Sequence, residues 1–220
     1  MPCIIDTKTE KVADIILDLY PEKIGSILVV GCGNGTEAAV LASKLDAKVV
    51  GIDVSDAFDP TACELADLRI GDAMKLDFPD ETFDFVFSYH ALEHIADPNL
   101  ALREMHRVLR PGGGFWIGTP NRSRLIGYVG AKEGSLADKI RWNLDDYRAR
   151  LSGTFRNELG AHAGFSAREL QSMLDAVFGS VTNVSHKYFH TIYPRFSPAL
   201  NIVAPLSSFL YPSVYFTGQR

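Results

Sequence analysis

The chain is 220 residues long, with 22 Lys and Arg against 27 Asp and Glu, a formal net charge of −5 and 46% apolar residues. That length suits one domain with a full core, and the acidic balance argues against a nucleic-acid phosphate track. Cys3, Cys32 and Cys63 are odd in number and lack the spacing of a disulfide framework or a zinc site.

The first residues carry Asp6, Glu10 and Asp14 and no signal-like apolar core, so the default expectation is a cytoplasmic protein. A first amphipathic helix is expected from about Thr9 to Tyr20, with Val12, Ile15, Ile16 and Leu19 on one face. Thr7 and Glu10 have capping-box spacing. Ile27-Leu28-Val29-Val30 then reads as a buried parallel strand. It runs into Gly31-Cys32-Gly33-Asn34-Gly35, and a helix follows at once, with Ala38, Leu41, Ala42 and Leu45 at i, i+3, i+4 and i+7. A strand, a bare glycine loop and a helix N-terminus together cradle a nucleotide-like ligand. Gly31-x-Gly33-x-Gly35 is neither the dinucleotide spacing Gly-x-Gly-x-x-Gly nor a P-loop, which would need Gly-Lys-Ser/Thr.

The second strand, Lys48 to Ile52, ends on Asp53, where a carboxylate can accept from both hydroxyls of a ribose. A short third strand near Asp67 to Ile70 leads to Gly71-Asp72-Ala73-Met74, which by itself is turn chemistry. Phe83 to Ser88 is a fourth strand, followed by Tyr89-His90-Ala91-Leu92-Glu93-His94. Leu102, Met105, Val108 and Leu109 form a helical stripe that Arg110-Pro111-Gly112-Gly113-Gly114 stops, and Phe115 to Thr119 is a fifth strand.

Taken in order, the glycine loop, Asp53, the Asp72 element, Phe83-Asp84-Phe85-Val86, Leu92-Glu93-His94 and Val108-Leu109-Arg110-Pro111-Gly112-Gly113 resemble the class I S-adenosylmethionine-dependent methyltransferases. Within them the chain is similar to the type 11 small-molecule group, like the enzymes of ubiquinone and menaquinone biosynthesis. The likeness is close over about 24–121 and loose elsewhere. It implies a Rossmann-like α/β fold: a doubly wound, mostly parallel seven-stranded sheet with one antiparallel strand, plus a helical lid. It also implies S-adenosyl-L-methionine as cofactor, held by Gly31, Cys32, Gly33, Asn34, Gly35, Asp53, Val54, Asp72, Ala73, Met74, Ser88 and Tyr89. In that family the acidic residue at Asp72 accepts from the adenine amino group.

The turn after the fourth strand faces the methyl group in the resembled fold, which makes His94, His90 and Glu93 the catalytic candidates. His94 comes first, since an imidazole can accept a proton near neutrality; a Glu-His pair can equally cap and orient its own loop. Some quinone O-methyltransferases bind a divalent metal here through Glu-x-x-Glu-His. The first position in this chain is His90, and no metal ligand is assigned.

Two segments exceed the minimal fold, although a single methyltransferase domain over 1–220 is expected. The stretch from 122 to 164 is too long for a structureless connection. Its residues 140–151 look helical, with Ile140, Leu144, Tyr147 and Leu151 on one side, and the resemblance implies a lid over the active site. Arg122, Arg124, Arg141, Arg148, Arg150 and Arg156 make it locally basic; one or two could meet an anionic acceptor, while most read as a solvated face. His162 sits among small residues, close to a ligand or locking a turn. Ser166-Ala167-Arg168-Glu169 is a second capping box, opening a helix ended by Gly179, and 181–189 and 213–218 read as two final strands forming a hairpin. Between them lies an apolar insertion, about 191–212. Phe196 to Gln219 holds no charged residue, but Pro198, Pro205 and Pro212 break it, so no membrane span is expected. It reads as a pocket wall, a dimer surface, a peripheral lipid contact or a plain packed loop.

The expected function is methyl transfer to a small-molecule acceptor at oxygen, nitrogen or activated carbon, with no nucleic-acid partner. The rivals are a noncatalytic cofactor-binding module and, disfavoured by the glycine spacing, a nicotinamide oxidoreductase. A nucleic-acid methyltransferase would need a basic track or an Asn/Asp-Pro-Pro-Tyr/Phe motif, neither of which is present. Neither the acceptor nor the oligomeric state can be read from the residues.

Overall fold

The computed structural model describes residues 4–128, 134–157, 163–203 and 206–220. A seven-stranded sheet runs in the order β3-β2-β1-β4-β5-β7-β6, built from β1 (Ser26–Val30), β2 (Lys48–Asp53), β3 (Asp67–Ile70), β4 (Phe83–Tyr89), β5 (Leu109–Pro120), β6 (Ser180–Asn183) and β7 (Ser213–Gln219). β1 pairs in parallel with β2 and β4, β2 with β3 and β4 with β5, whereas β7 is antiparallel to both β5 and β6. The expected doubly wound sheet with one antiparallel strand is therefore present.

Side-chain alternation along the central strands explains why helices cover both faces. Ile27, Val29, Phe85, Phe87 and Trp116 join one core with residues of α1 (Thr7–Leu19), α2 (Thr36–Leu45) and α7 (Ser185–Ile192). Leu28, Val30, Val86, Phe115 and Ile117 face the other way, onto Leu102 and Met105 of α4 (Pro98–Val108) and Leu170, Leu174 and Phe178 of α6 (Ala167–Phe178). A short α3 (Pro60–Leu65) fills the corner before β3.

Local capping follows the sequence with one change. Ser166 and Glu169 make the expected capping box and Gly179 ends α6 with φ +79°. At α1 the cap is Asp6, whose carboxylate accepts from Thr9 N–H, rather than a Thr7–Glu10 box. The Asp6 carboxylate offers the first-turn amides a full negative charge.

The expected strand over 181–189 is half strand and half helix. β6 stops at Asn183, whose Oδ1 accepts from Ser185 N–H at 2.9 Å, and α7 begins there. Ser185, Tyr188, Phe189 and Ile192 are buried at i, i+3, i+4 and i+7, a helical period that outweighs the β propensity of the individual residues.

The insertion after β5 holds α5 (Leu136–Leu151), capped by a Ser135–Asp138 box. Its stripe of Ile140, Leu144, Tyr147 and Leu151 is exposed, and the helix is attached through polar groups, the Tyr147 hydroxyl among them. Asn143 Oδ1 accepts from Gly127 N–H at 2.7 Å, Asp146 pairs with Arg124 at 2.8 Å, and the Tyr147 hydroxyl donates to Leu125 O. The insertion between β6 and β7 is helical, with α7, a 3-10 turn (Pro194–Phe196), α8 (Ser197–Val203) and α9 (Ser207–Leu210). Among the described residues no helix is long and apolar enough to cross a membrane.

The insertion after β5 is closed at its base. Phe165 N–H donates to Pro120 O at 3.0 Å and Arg122 N–H donates to Phe165 O at 3.1 Å. Between them Gly164 has φ +70°, and a Cβ there would stand 1.8 Å from Pro120 O. Gly153 has a similar φ of +73° but open space around it. Gly153→Ala is expected to cost about 1 kcal/mol through backbone strain alone, and Gly164→Ala more than about 3 kcal/mol because the base of the insertion must part; urea unfolding of both variants measures the difference.

Candidate active site

The site lies where the strand order reverses, between β1 and β4, at the carboxyl ends of the strands. The glycine loop is pinned there by Gly31 and Cys32 N–H, which donate to Ile52 O at 2.9 and 3.0 Å. Each glycine has a positive φ, +73°, +53° and +89° for Gly31, Gly33 and Gly35, but the reasons differ. A Cβ on Gly31 would lie 2.2 Å from Ala91 Cβ, and one on Gly35 would lie 2.2 Å from Leu68 Cδ1. A Cβ on Gly33 would meet nothing within 4 Å and would project into open space beside the loop.

That space is a cavity of about 530 Å³, lined by Gly31, Gly33, Asp53, Val54, the Gly71 to Met74 turn, and His90, Ala91 and His94 to Ala96 of the turn after β4. Asp53 anchors its floor: Oδ2 accepts from Gly33 N–H at 2.8 Å and Oδ1 from Ser55 N–H at 3.0 Å. Both carboxylate oxygens are thus oriented by backbone donors, and each keeps a lone pair for a further hydroxyl. Asp72 Oδ1 accepts from Met74 N–H at 2.8 Å, closing a tight turn across the cavity from Asp53. Exposed Val54 and apolar Ile52, Ala73 and Ile95 give the same cavity flat, apolar sides that suit a heteroaromatic ring. A nucleoside with a vicinal diol therefore fits the donor and acceptor set.

Not every residue named from the sequence reaches this cavity. Cys32 turns into the core, where burial and the charge of Asp53 push its thiol up to about 12. Asn34 caps locally, its Oδ1 accepting from Thr36 N–H, and Gly35 provides the close packing on Leu68. Ser88 is fully buried in the sheet between Val30 and Ile117. Tyr89 points to a second cavity.

This second cavity, about 430 Å³, adjoins the first. Its wall is aromatic, from Tyr89, Tyr128, Tyr188, Phe189, Tyr193 and Tyr215, with Glu93, Arg124 and Lys8 as its charged members. Among the described residues, only His90 and His94 line both cavities. His90 is placed by a left-handed backbone (φ +55°), an N–H donated to Gly118 O at 2.8 Å, and contact of its Nε2 with the Tyr215 hydroxyl at 3.3 Å. The hydroxyls of Tyr89 and Tyr188 lie 2.7 Å apart and that of Tyr215 donates to Tyr89 at 3.2 Å, so the wall is a linked network.

Glu93 sits between the histidines. Its Oε1 is 3.8 Å from His90 Nδ1 and 4.0 Å from His94 Nε2. The side chain is 1% exposed, whereas that of His94 is 55% exposed. Glu93 Oε2 is buried and has no hydrogen-bond partner among the described residues. Burial pushes the carboxyl up from 4.5 to about 7, against a smaller downward pull from its own backbone N–H and from Arg124. Among the described residues no group of three or more His, Cys, Asp and Glu is arranged to hold a metal ion. His162 lies outside the described residues.

Much of this wall escapes a linear reading. Tyr188 and Phe189 fall in the segment expected as strand, and Tyr193, Tyr215 and Pro212 come from the far end of the chain. The helical spacing of Ser185, Tyr188, Phe189 and Ile192 is the signal that marks one face of this segment. Arg124, grouped with a solvated face, is 5% exposed; it donates to Asn121 O and Ala163 O, pairs with Asp146, and lies over the rings of Tyr128 and Phe155. The other insert cations are mostly paired on the surface: Arg122 with Glu169, Arg141 with Asp138 and Arg148 with Asp145.

Residues 28–117 match the family model described as a methyltransferase domain, type 11. A 27-O-demethylrifamycin SV methyltransferase from Amycolatopsis mediterranei is 32% identical over 124 residues, 52% of this chain and 46% of that protein. A demethylmenaquinone methyltransferase from Symbiobacterium thermophilum is 39% identical over 101 residues, 40% of each. Among solved structures the cyclase SpnF superposes with a TM-score of 0.59 over 96% of this chain and 80% of its own, at 22% identity, which shows a shared fold. The chain spans less than half the length of these curated relatives. Over 28–117 the chain is thus similar to type 11 methyltransferase domains, and both of these curated relatives are named as methyltransferases. Its cofactor is S-adenosylmethionine, and the nucleoside cavity over Gly33 and Asp53 has the chemistry to receive it.

Two outcomes follow for binding. Gly33→Val should fold yet lose S-adenosylhomocysteine binding in calorimetry, because its side chain occupies the cavity and the backbone there is left-handed. Asp53→Ala should weaken binding by roughly ten- to a hundredfold, the loss expected for a charged hydrogen bond of about 1.5–3 kcal/mol, and more than Asp72→Ala does. A third concerns stability. A carboxyl raised in the folded state stabilises below its unfolded value of 4.5 and loses that contribution as pH rises to about 7. Glu93→Gln should therefore gain stability over wild type by about 3 kcal/mol between pH 4 and pH 8 in denaturant titrations.

Proposed function

We propose that this chain transfers the methyl group of S-adenosylmethionine to a small-molecule acceptor bound in the aromatic cavity. The observation that carries this reading is the meeting of two cavities, one suited to a nucleoside and one to an organic acceptor, at His90 and His94.

The bound cofactor supplies a methyl group on a positively charged sulfur. The chain's part is alignment, exclusion of water and management of one proton. Gly31, Gly33 and the turn at Asp72 to Met74 hold the nucleoside, with the Asp53 carboxylate on the ribose diol. The aromatic wall orients the acceptor and keeps water out, which favours dispersal of the sulfonium charge as the methyl moves. His94 takes the acceptor's proton: it borders both cavities, is half exposed and so can pass the proton to solvent, and has Glu93 beside it to stabilise an imidazolium. His90 positions that turn through Gly118 and Tyr215. The insertion around α5 acts as a lid, since it delivers Arg124 and Tyr128 to the acceptor wall.

The fold is shared with a cyclase, so the activity has to be read from the site. A screen of small metabolites with isotope-labelled S-adenosylmethionine, read by mass, should yield methylated products, and NAD should not bind. His94→Asn should lower turnover by ~10²–10⁴ with S-adenosylhomocysteine affinity within about twofold of wild type. Retained turnover in this variant would remove the base and leave alignment and desolvation as the mechanism.

A further inference from the structure

Resting on that reading of the two cavities, we propose that the acceptor is an amine, bound as its cation between Glu93 and the aromatic wall, so that the reaction is N-methylation.

The argument starts from an unmet need. Glu93 Oε2 is buried without a hydrogen-bond donor among the described residues, and leaving such an atom unpaired is costly. The charged groups that face it are His90 and His94 on its own turn, Arg124 from the insertion and Lys8 from α1. Both histidines stand 3.8–4.0 Å away, longer than a hydrogen bond, and both approach Oε1. The Arg124 guanidinium is engaged by Asp146 and by the carbonyls of Asn121 and Ala163. A ligand can therefore bring what Oε2 lacks: a donor, and a countercharge that lets the carboxylate ionise.

The wall selects among donors. Tyrosine and phenylalanine rings attract a cation through their quadrupoles, and an apolar, aromatic cavity with one carboxylate is the chemistry that recognises ammonium groups. An alcohol or phenol could donate to Oε2 but brings no countercharge to a desolvated carboxylate. A carboxylate or phosphate would meet Glu93 as a like charge, with Arg124 already neutralised by Asp146. The amine is the acceptor whose charge and donors match both Glu93 and the aromatic wall.

The step balances within the residues on hand. The ammonium loses one proton to His94, which becomes imidazolium beside Glu93. The freed nitrogen lone pair forms the new N–C bond as the S–C bond breaks, and that bond's electron pair stays on sulfur. The product is a methylated ammonium and a neutral thioether, and His94 returns its proton to solvent.

Three probes share one ring and differ in charge: benzylamine, benzyl alcohol and benzoate. Their binding to the purified full chain saturated with S-adenosylhomocysteine can be titrated at pH 7.5 by ligand-observed NMR. Benzylamine should bind at least about tenfold more tightly than benzyl alcohol, with benzoate weakest. Glu93→Gln should shrink the preference for benzylamine to under about threefold while S-adenosylhomocysteine affinity stays unchanged, and Tyr193→Leu should weaken benzylamine more than benzyl alcohol. Equal binding of benzylamine and benzyl alcohol, no benzylamine binding at all, tighter binding of benzoate, or a preference that survives Glu93→Gln would overturn the amine assignment. Loss of S-adenosylhomocysteine binding by the wild-type chain would instead sink the methyltransferase reading, since the cofactor cavity does not include Glu93.

Discussion

The close approach of Gly31 to Ala91 is the constraint on which the site depends. Any side chain on Gly31 would overlap Ala91 Cβ, so the glycine loop after β1 and the turn after β4 can touch only because one of them is bare. That contact sets how far apart the two cavities lie. It lets a five-residue turn, His90 to His94, serve as the partition between them, with two histidines presented to both sides. The turn is held from the other direction by Gly118 O and by the stacked tyrosines, so the partition is fixed by the sheet rather than by the ligands.

The part of the fold legible in the sequence is the part in which local pattern and global position agree. β1, the glycine loop, α2, Asp53 and the break at Pro111 each carry their own chemical reason within a few residues. The sheet order and its antiparallel strand came from resemblance, since no local spacing dictates that β7 inserts between β5 and β6. The segment 181–189 misled because Val, Thr, Tyr and Phe favour strands singly, while the Asn183 cap and the period of buried positions from Ser185 decide the helix jointly.

The site divides along the same line. The cofactor cavity is made of loops that follow consecutive strands, so Asp53 and Asp72 could be placed by counting. The acceptor cavity is assembled from α1, the insertion, α7 and β7, whose meeting is decided by packing. Arg124 shows why charge alone was a poor guide. Its partner Asp146 lies 22 residues on, and of its two ring contacts Tyr128 is near in the chain while Phe155 is brought to it only by the fold. Glu93 carried a catalytic assignment from its place in the turn, but its burial, and an oxygen without a hydrogen-bond partner among the described residues, emerge only in three dimensions.

The closed base of the insertion has a consequence for how such a protein can change. Pro120 and Arg122 are tied to Phe165 across Gly164, so the chain leaves the sheet and returns to it at one fixed point. Of the insertion's polar attachments, Asn143 to Gly127 and Asp146 to Arg124 are internal to it, whereas Leu125 N–H donates to Phe209 O at 2.7 Å and Arg122 pairs with Glu169 of α6. A change of its interior would redraw one wall of the aromatic cavity with the ends held at the sheet, while a change near Arg122 or Leu125 would also reach α6 and α9. A fold built in this way keeps one wall of the aromatic cavity on a separate stretch of chain from the loops that shape the other cavity.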